Sequence, residues 1–330
     1  MERVGIADNY FELGGDSLLA TRLSALVRSK FEVELSLGRI FEKPTIAGMA
    51  EQVQTLMDQK GQHDESTESL PQIVPIPQDR NQPFPMTDIQ QAYWVGRSGL
   101  YALGNVSTHC YFEIEGQNLD LERINRAWQR LIDHHEMMRA VIMPDGWHQR
   151  ILENVPDYLI NVNDLRGKTP EEVESELKQI REEMSHQVLS TDVWPLFDVR
   201  ASRFGEERVR LHISFDNLIF DGWSMFHLLS EWTRLYHQPD APLATLDLSF
   251  RDYVLALEEL KASELYQRDL DYWIARLPEL PPAPQLPLAQ NPESLSEQRF
   301  SRLEARLSKQ TWQKLKNGRR RLGLRHREFC

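Results

Sequence analysis

Two short stretches of the chain hold side chains whose types and spacing suit chemistry. The first is Asp8 to Ala20, DNYFELGGDSLLA, in which Gly14 and Gly15 let the backbone turn tightly ahead of Asp16 and Ser17. Asp16 is a strong N-cap type and apolar residues recur after it at helical spacing, so Ser17 is placed in the first turn of an amphipathic helix. A hydroxyl there faces the positive end of the helix and its free N–H groups, a field that favours a covalently attached phosphate. Attachment, not catalysis, is the chemistry suited to that position; the plainer alternative is that Ser17 helps to cap its own helix. The second stretch is Arg208 to Met225, RVRLHISFDNLIFDGWSM, a strand running into a loop that holds Asp216 and Asp221, with a helix beginning near Gly222. Paired carboxylates in such a loop can polarise an amine or hydroxyl, act as acid and base, or hold the loop by hydrogen bonds. The D-x-x-x-x-D spacing alone does not choose among these, and capping or loop-holding aspartates are its ordinary occupants.

The elements that must position these residues follow from period and caps. A helix is predicted from Ser17 to about Lys30, with Leu19, Leu23, Leu26 and Val27 on one face, and Thr45 can cap a second helix reaching about Met57. Residues 58–83 are polar and carry Pro71, Pro75 and Pro77, the composition of an interdomain linker. Beyond them, Thr108 to Ile114 and Arg208 to Phe215 alternate as strands do, while 119–134, 169–188, 222–236 and 250–277 show helical period. The irregular interleaving favours a mixed α/β domain over a strict βαβ repeat. Trp94, Trp128, Trp223, Trp232 and Trp273 fall in apolar helical patterns and are expected to pack in the core.

Composition narrows the function. The 330 residues exceed one typical domain of about 100–200 residues, and 41% of them are apolar. A formal charge of -12 with a pI near 5.4 sets nucleic acid and anionic membranes aside as partners, because both repel such a surface. Cys110 and Cys330 lie far apart, and no Cys/His cluster has zinc-ligand spacing. The adjacent His134 and His135 would point about 100° apart on a helix, so no metal is expected. The chain lacks an apolar run of about 18 residues and a signal-peptide order at its N-terminus, which reads as cytoplasmic.

Taken whole, DNYFELGGDSLLATRL resembles the modification motif of acyl and peptidyl carrier proteins, and Ile40 to Ala50, IFEKPTIAGMA, resembles their later helices. The resemblance implies that Ser17 receives 4′-phosphopantetheine from coenzyme A by the action of a phosphopantetheinyl transferase. FPMTDIQQAYWVGR (84–97), LIDHHEMMRAVIMPDG (131–146), DNLIFDG (216–222) and LPELPPAPQLPLAQNP (277–292) resemble, in order, the heterocyclization domains of nonribosomal peptide synthetases. These are a branch of the condensation-domain superfamily, built of two chloramphenicol-acetyltransferase-like α/β lobes. Ordinary condensation domains read HHxxxDG in this loop, so Asp216 and Asn217 occupy the histidine positions while Asp221 and Gly222 keep the end of the motif.

The resemblance further implies a division into a helical carrier segment (1–57, lacking the family's first helix), the linker (58–83), and the N-terminal lobe of a heterocyclization domain (84–330, with the second lobe largely absent). A chain so cut is expected to be inactive alone. The carrier would donate an acyl or peptidyl thioester to be condensed with cysteine, serine or threonine and cyclodehydrated to a thiazoline or oxazoline, as in siderophore and antibiotic biosynthesis. An upstream adenylation domain and downstream carrier and adenylation domains would be its partners. Asp216 and Asp221 are the site residues so implied, in a largely structural role, and Arg139 in HHEMMR is expected to be the ion-pair partner of a buried Asp221. An amide-forming condensation domain and an inactive docking or carrier fragment are the alternative readings.

Overall fold

The computed structural model describes residues 4–60, 71–97, 104–282, 284–291, 294–295, 300–301, 303 and 305–322. The described residues of 1–67 and 301–330 form one unit, and those of 68–300 a second.

In the first unit, α1 (Ser17–Phe31), α2 (Leu37–Glu42) and α3 (Ile46–Lys60) surround a small core of Ala20, Val27, Val33, Leu35, Ile40, Met49 and Val53. Each helix starts on a side-chain cap: Asp16 Oδ1 accepts the Leu19 N–H (2.8 Å), Ser36 Oγ that of Arg39 (3.5 Å), and Thr45 Oγ1 that of Gly48 (3.0 Å). Phe11 stacks on Phe41 with ring centroids 4.8 Å apart, tying the segment before α1 to α2. The buried face of α1 differs from the sequence expectation. Ala20 and Val27 are buried, whereas Leu19 and Leu26 are exposed, because the core side lies one residue step, about 100°, past Leu19. Leu19 and Leu23 instead line an apolar groove with Met49, Val53 and Met57 of α3.

The second unit is a mixed α/β fold. Its larger sheet has the order β2-β7-β6-β5, formed by β2 (His109–Gln117), β7 (Arg208–Asp216), β6 (Phe197–Phe204) and β5 (Asn161–Asp164). The first three run antiparallel and β5 joins β6 in parallel. A smaller sheet has the order β1-β4-β3, from β1 (Phe84–Pro85), β4 (His148–Ile151) and β3 (Ala140–Ile142). Strand alternation gives the large sheet two different faces. On one, Phe215 and Phe197 meet α5 (Leu121–His134) and α7 (Gly222–His237): Trp128 has no exposed surface and lies 5.4 Å from Phe197, 5.9 Å from Phe215 and 4.5 Å from Trp232. On the other, α6 (Pro170–Met184) brings Arg181 onto Glu113 (2.8 Å).

Beneath α6 lies His212, fully buried, with Nδ1 3.0 Å from the Tyr111 hydroxyl and Nε2 3.0 Å from Ser202 Oγ. Tyr111 donates to Glu113 Oε1 (2.9 Å), so its oxygen accepts from Nδ1–H while Ser202 donates to Nε2, satisfying a neutral imidazole. Burial pushes the His212 pKa down to about 4.

Three other stretches depart from the sequence reading. Residues 250–277 form two helices, α8 (Phe250–Leu260) and α9 (Glu264–Arg276), because Ser263 caps the second through the Tyr266 N–H (3.1 Å). Trp223 and Trp273 are exposed rather than in the core. Part of the expected linker is laid on the second unit: the Ile76 N–H donates to Asp252 Oδ1 (3.1 Å), and Arg80 donates to the Leu246 carbonyl (2.8 Å) and pairs with Glu136 (3.0 Å).

Candidate functional site

The loop between β7 and α7 is the DNLIFDG stretch, and its first aspartate is fully engaged. Asp216 is 1% exposed; its Oδ2 accepts from the Arg97 guanidinium and from Ser107 Oγ (3.0 Å), and its Oδ1 accepts the Leu218 N–H (3.0 Å). Arg97 follows α4 (Asp88–Gly96), a helix fixed by a capping box between Thr87 and Gln90. The same guanidinium donates to Ser107 Oγ (2.7 Å) and to the Leu189 carbonyl (3.0 Å), so one cation ties four segments together. From the other side, Gln90 and Gln149 exchange two amide hydrogen bonds of 2.9 Å each, and Gln90 Nε2 also donates to the Leu218 carbonyl (2.6 Å). A buried carboxylate whose two oxygens both accept hydrogen bonds is a post that holds the loop.

Asp221 stands in a different setting. It is exposed and caps α7, its Oδ1 accepting the Ser224 N–H at 2.7 Å. The expected pair with Arg139 does not form: the Arg139 guanidinium donates to the backbone carbonyls of Ile132, Asp133 and Leu152, joining the end of α5 to the strand β4. An exposed capping aspartate keeps its hydration and needs no cation to offset burial.

Asp221 and Asn217 line a cavity of about 710 Å³, together with Trp223 and Tyr253. The Asn217 N–H donates to the Thr108 carbonyl (3.0 Å), while its buried side-chain oxygen has no hydrogen-bond partner among the described residues. Sequence reading placed Asp216 and Asp221 on one loop correctly but missed Arg97, Ser107, Gln90 and Gln149. Arg97 left a signal, a lone cation closing the apolar stretch 84–97; Ser107 left none.

In the first unit, Ser17 is the first residue of α1 and is exposed. Asp16, not Ser17, caps the helix, and the Ser17 hydroxyl has no hydrogen-bond partner among the described residues. Gly14 sits at φ +100°, a conformation that glycine adopts without strain, with open space around it. An exposed hydroxyl at a helix N-terminus fits a covalent phosphodiester.

The model of the family described as "Condensation domain" matches residues 80–321. The chain belongs to the condensation-domain family. Ahead of its condensation domain it carries the family described as "Phosphopantetheine attachment site", matched over residues 1–53, whose cofactor is a covalently attached 4′-phosphopantetheine. Bacitracin synthase 1 of Bacillus licheniformis is 35% identical over 316 residues, which is 96% of this chain and 6% of that protein. Pyochelin synthetase PchF of Pseudomonas aeruginosa is 34% identical over 270 residues, 82% of this chain and 15% of the relative. Among solved structures, the cyclization-docking bidomain of the EpoB nonribosomal peptide synthetase from Sorangium cellulosum is 34% identical with a TM-score of 0.69, covering 93% of this chain and 62% of that one. The α/β fold of the second unit is therefore the condensation-domain fold, and the chain spans only a small part of the curated synthetases it matches.

Proposed function

We propose that this chain is the carrier and heterocyclizing condensation segment of a nonribosomal peptide synthetase, with Ser17 as the attachment point of the phosphopantetheine arm. The observation that supports the heterocyclizing branch is the locked Asp216: the loop position held by an imidazole in amide-forming condensation domains is here a buried carboxylate bound by Arg97, Ser107 and the Leu218 N–H. The EpoB neighbour, described as a cyclization-docking bidomain, supports this reading.

The bound arm supplies a thiol on which an acyl group rides as an activated thioester. In this reading the amine of a cysteine, serine or threonine would attack the carbonyl so carried, the C–N bond forming as the C–S bond breaks and the amine's proton passing to the released thiol. The side-chain thiol or hydroxyl then adds to the new amide carbonyl and water departs, closing the ring. For the first step positioning counts more than activation. Asp216 fixes the loop beside the cavity, and Asp221 fixes the start of α7. A tethered acyl group is delivered at an effective concentration on the order of millimolar, independent of diffusion. A phosphopantetheinyl transferase, an adenylation domain and a downstream carrier are the partners this reading requires.

The test is a reconstituted synthetase module containing this segment, with the downstream carrier read by intact mass. An acyl-aminoacyl product lighter by one water supports heterocyclization, and a product retaining that water assigns the segment to the amide-forming branch.

A further inference from the structure

Three side chains beside the cavity converge without any part in the reading above. His135 follows α5, while His227 and Glu231 lie one turn apart on α7. His135 Nε2 is 2.7 Å from Glu231 Oε2, His227 Nε2 is 3.6 Å from the same oxygen, and one ligand atom from each of the three lies within 4.8 Å of the others. The other carboxylate oxygen, Glu231 Oε1, faces Arg234 Nη2 at 3.3 Å, which orients the group toward the two rings.

We propose that His135, His227 and Glu231 bind a divalent transition-metal ion of the zinc class. Two imidazole nitrogens and one carboxylate oxygen are the donor set of open zinc sites, with bonds of about 2.0–2.2 Å, and such donors favour zinc, cobalt or nickel over magnesium or calcium. Tetrahedral ligands at that length stand about 3.3 Å apart. Reaching this from the metal-free geometry needs the His135 and Glu231 atoms to part by about half an ångström and the His227 ring to swing inward. The His227 side chain is 55% exposed, so it is free to make that movement, and the i, i+4 spacing on α7 already puts it on the same face as Glu231. Both histidines line the cavity that also holds Asn217 and Asp221, whereas Glu231 lies behind them and is buried. The fourth position of the metal therefore faces the cavity, where a water or a thiolate completes it. The adjacent His134 takes no part; its ring stands edge-on to that of His135 with centroids 4.8 Å apart.

The metal clips the end of α5 to the middle of α7, joining the helix that Asp221 caps to the core that Trp128 anchors. The site is independent of whether the domain forms rings.

The test is calorimetric titration of the full, untagged chain with Zn²⁺ after removal of metal by a chelator, repeated with Mg²⁺ and with Co²⁺ read by its visible absorption. The expected result is one Zn²⁺ per chain, a tetrahedral Co²⁺ spectrum and no comparable uptake of Mg²⁺. His227→Ala, at an exposed position, and Glu231→Gln should each weaken Zn²⁺ binding by at least about 10-fold, the scale seen for disturbing a metal's surroundings. His134→Ala should leave it unchanged. Absence of uptake by the unaltered chain, or uptake undiminished in His227→Ala with the fold intact by circular dichroism, overturns the assignment.

Discussion

Arg97 and Asp216, 119 residues apart in the chain, meet in a buried ion pair that fastens the loop after β7 to the end of α4. Their side chains are 7% and 1% exposed, so neither charge is relieved by water. The pair is accordingly more important as a constraint than as a source of net stability, since desolvation offsets much of its attraction.

Removing one partner leaves the other charge buried and unpaired. Arg97→Ala is expected to destabilise the second unit by about 3–5 kcal/mol, and Asp216→Asn by somewhat less because the amide still accepts the Leu218 N–H. The double variant should cost less than the sum, since both changes break one contact. Urea unfolding followed by tryptophan fluorescence measures all three, the buried Trp128 and Trp232 reporting on this core. A loss below about 1 kcal/mol for Arg97→Ala, the range of exposed pairs, would falsify the role given to this pair.

Asp221 separates stability from chemistry. As the N-cap of α7 it should lose about 1 kcal/mol on change to Ala and a few tenths at most on change to Asn, which caps as well. Asp221→Asn in a reconstituted module thus reports on the cavity alone. Unchanged product formation with unchanged unfolding confines Asp221 to capping, whereas lost turnover in a stable protein adds a direct role at the reacting amine.

The parts legible in the sequence were those whose signal is local. Asp16 and Thr45 announced their helices because a cap and the period it starts lie within a few residues. The alternation of 108–114 and 208–215 likewise gave the edge strand β2 and its neighbour β7 as strands. Arg139 was assigned to Asp221 because a buried carboxylate needs a cation, and the inference failed at its premise: Asp221 is exposed and Asp216 is the buried one. No local pattern says which of two aspartates on a loop turns inward. That depends on Arg97 and Ser107, brought there by tertiary structure. The break at Ser263 was hidden for a different reason, since helical period runs on across a short turn between collinear apolar patterns. The His135, His227 and Glu231 group was invisible because only two of its three members, the i, i+4 pair on α7, are close in sequence.

His212 predicts a pH dependence. Its folded pKa is about 4 against 6.5 for the free side chain, with burial the largest cause. The Glu113 carboxylate opposes the shift, Arg210, Arg181 and Arg200 add to it, and the Tyr111 hydroxyl faces Nδ1. The unfolded chain therefore binds this proton more readily, so the contribution is fully present above about pH 6.5, falls as pH drops through 6.5 toward 4, and is exhausted below that. The span corresponds to roughly 3 kcal/mol. Carboxylates also titrate near its lower end, so the informative quantity is the slope between pH 5 and 6.5 in the unaltered chain against His212→Gln, which carries no titrating ring. Equal slopes would place a charged imidazole in the folded sheet.

Ser17 and Asp16 are neighbours with separable duties. The Ser17 hydroxyl has no hydrogen-bond partner among the described residues, so Ser17→Ala should leave the stability of the first unit within about 0.5 kcal/mol, as for surface changes in general. Asp16→Ala removes the cap that holds the Leu19 N–H and should cost about 1 kcal/mol. With coenzyme A and a broad-specificity phosphopantetheinyl transferase, intact mass should rise by one phosphopantetheine group in the unaltered chain and in Asp16→Ala, more slowly in the latter, and not at all in Ser17→Ala. Modification of the Ser17→Ala chain would move the attachment point to another hydroxyl. Its absence from a folded, unaltered chain would overturn Ser17 as an attachment point and leave the functional reading to the second unit alone.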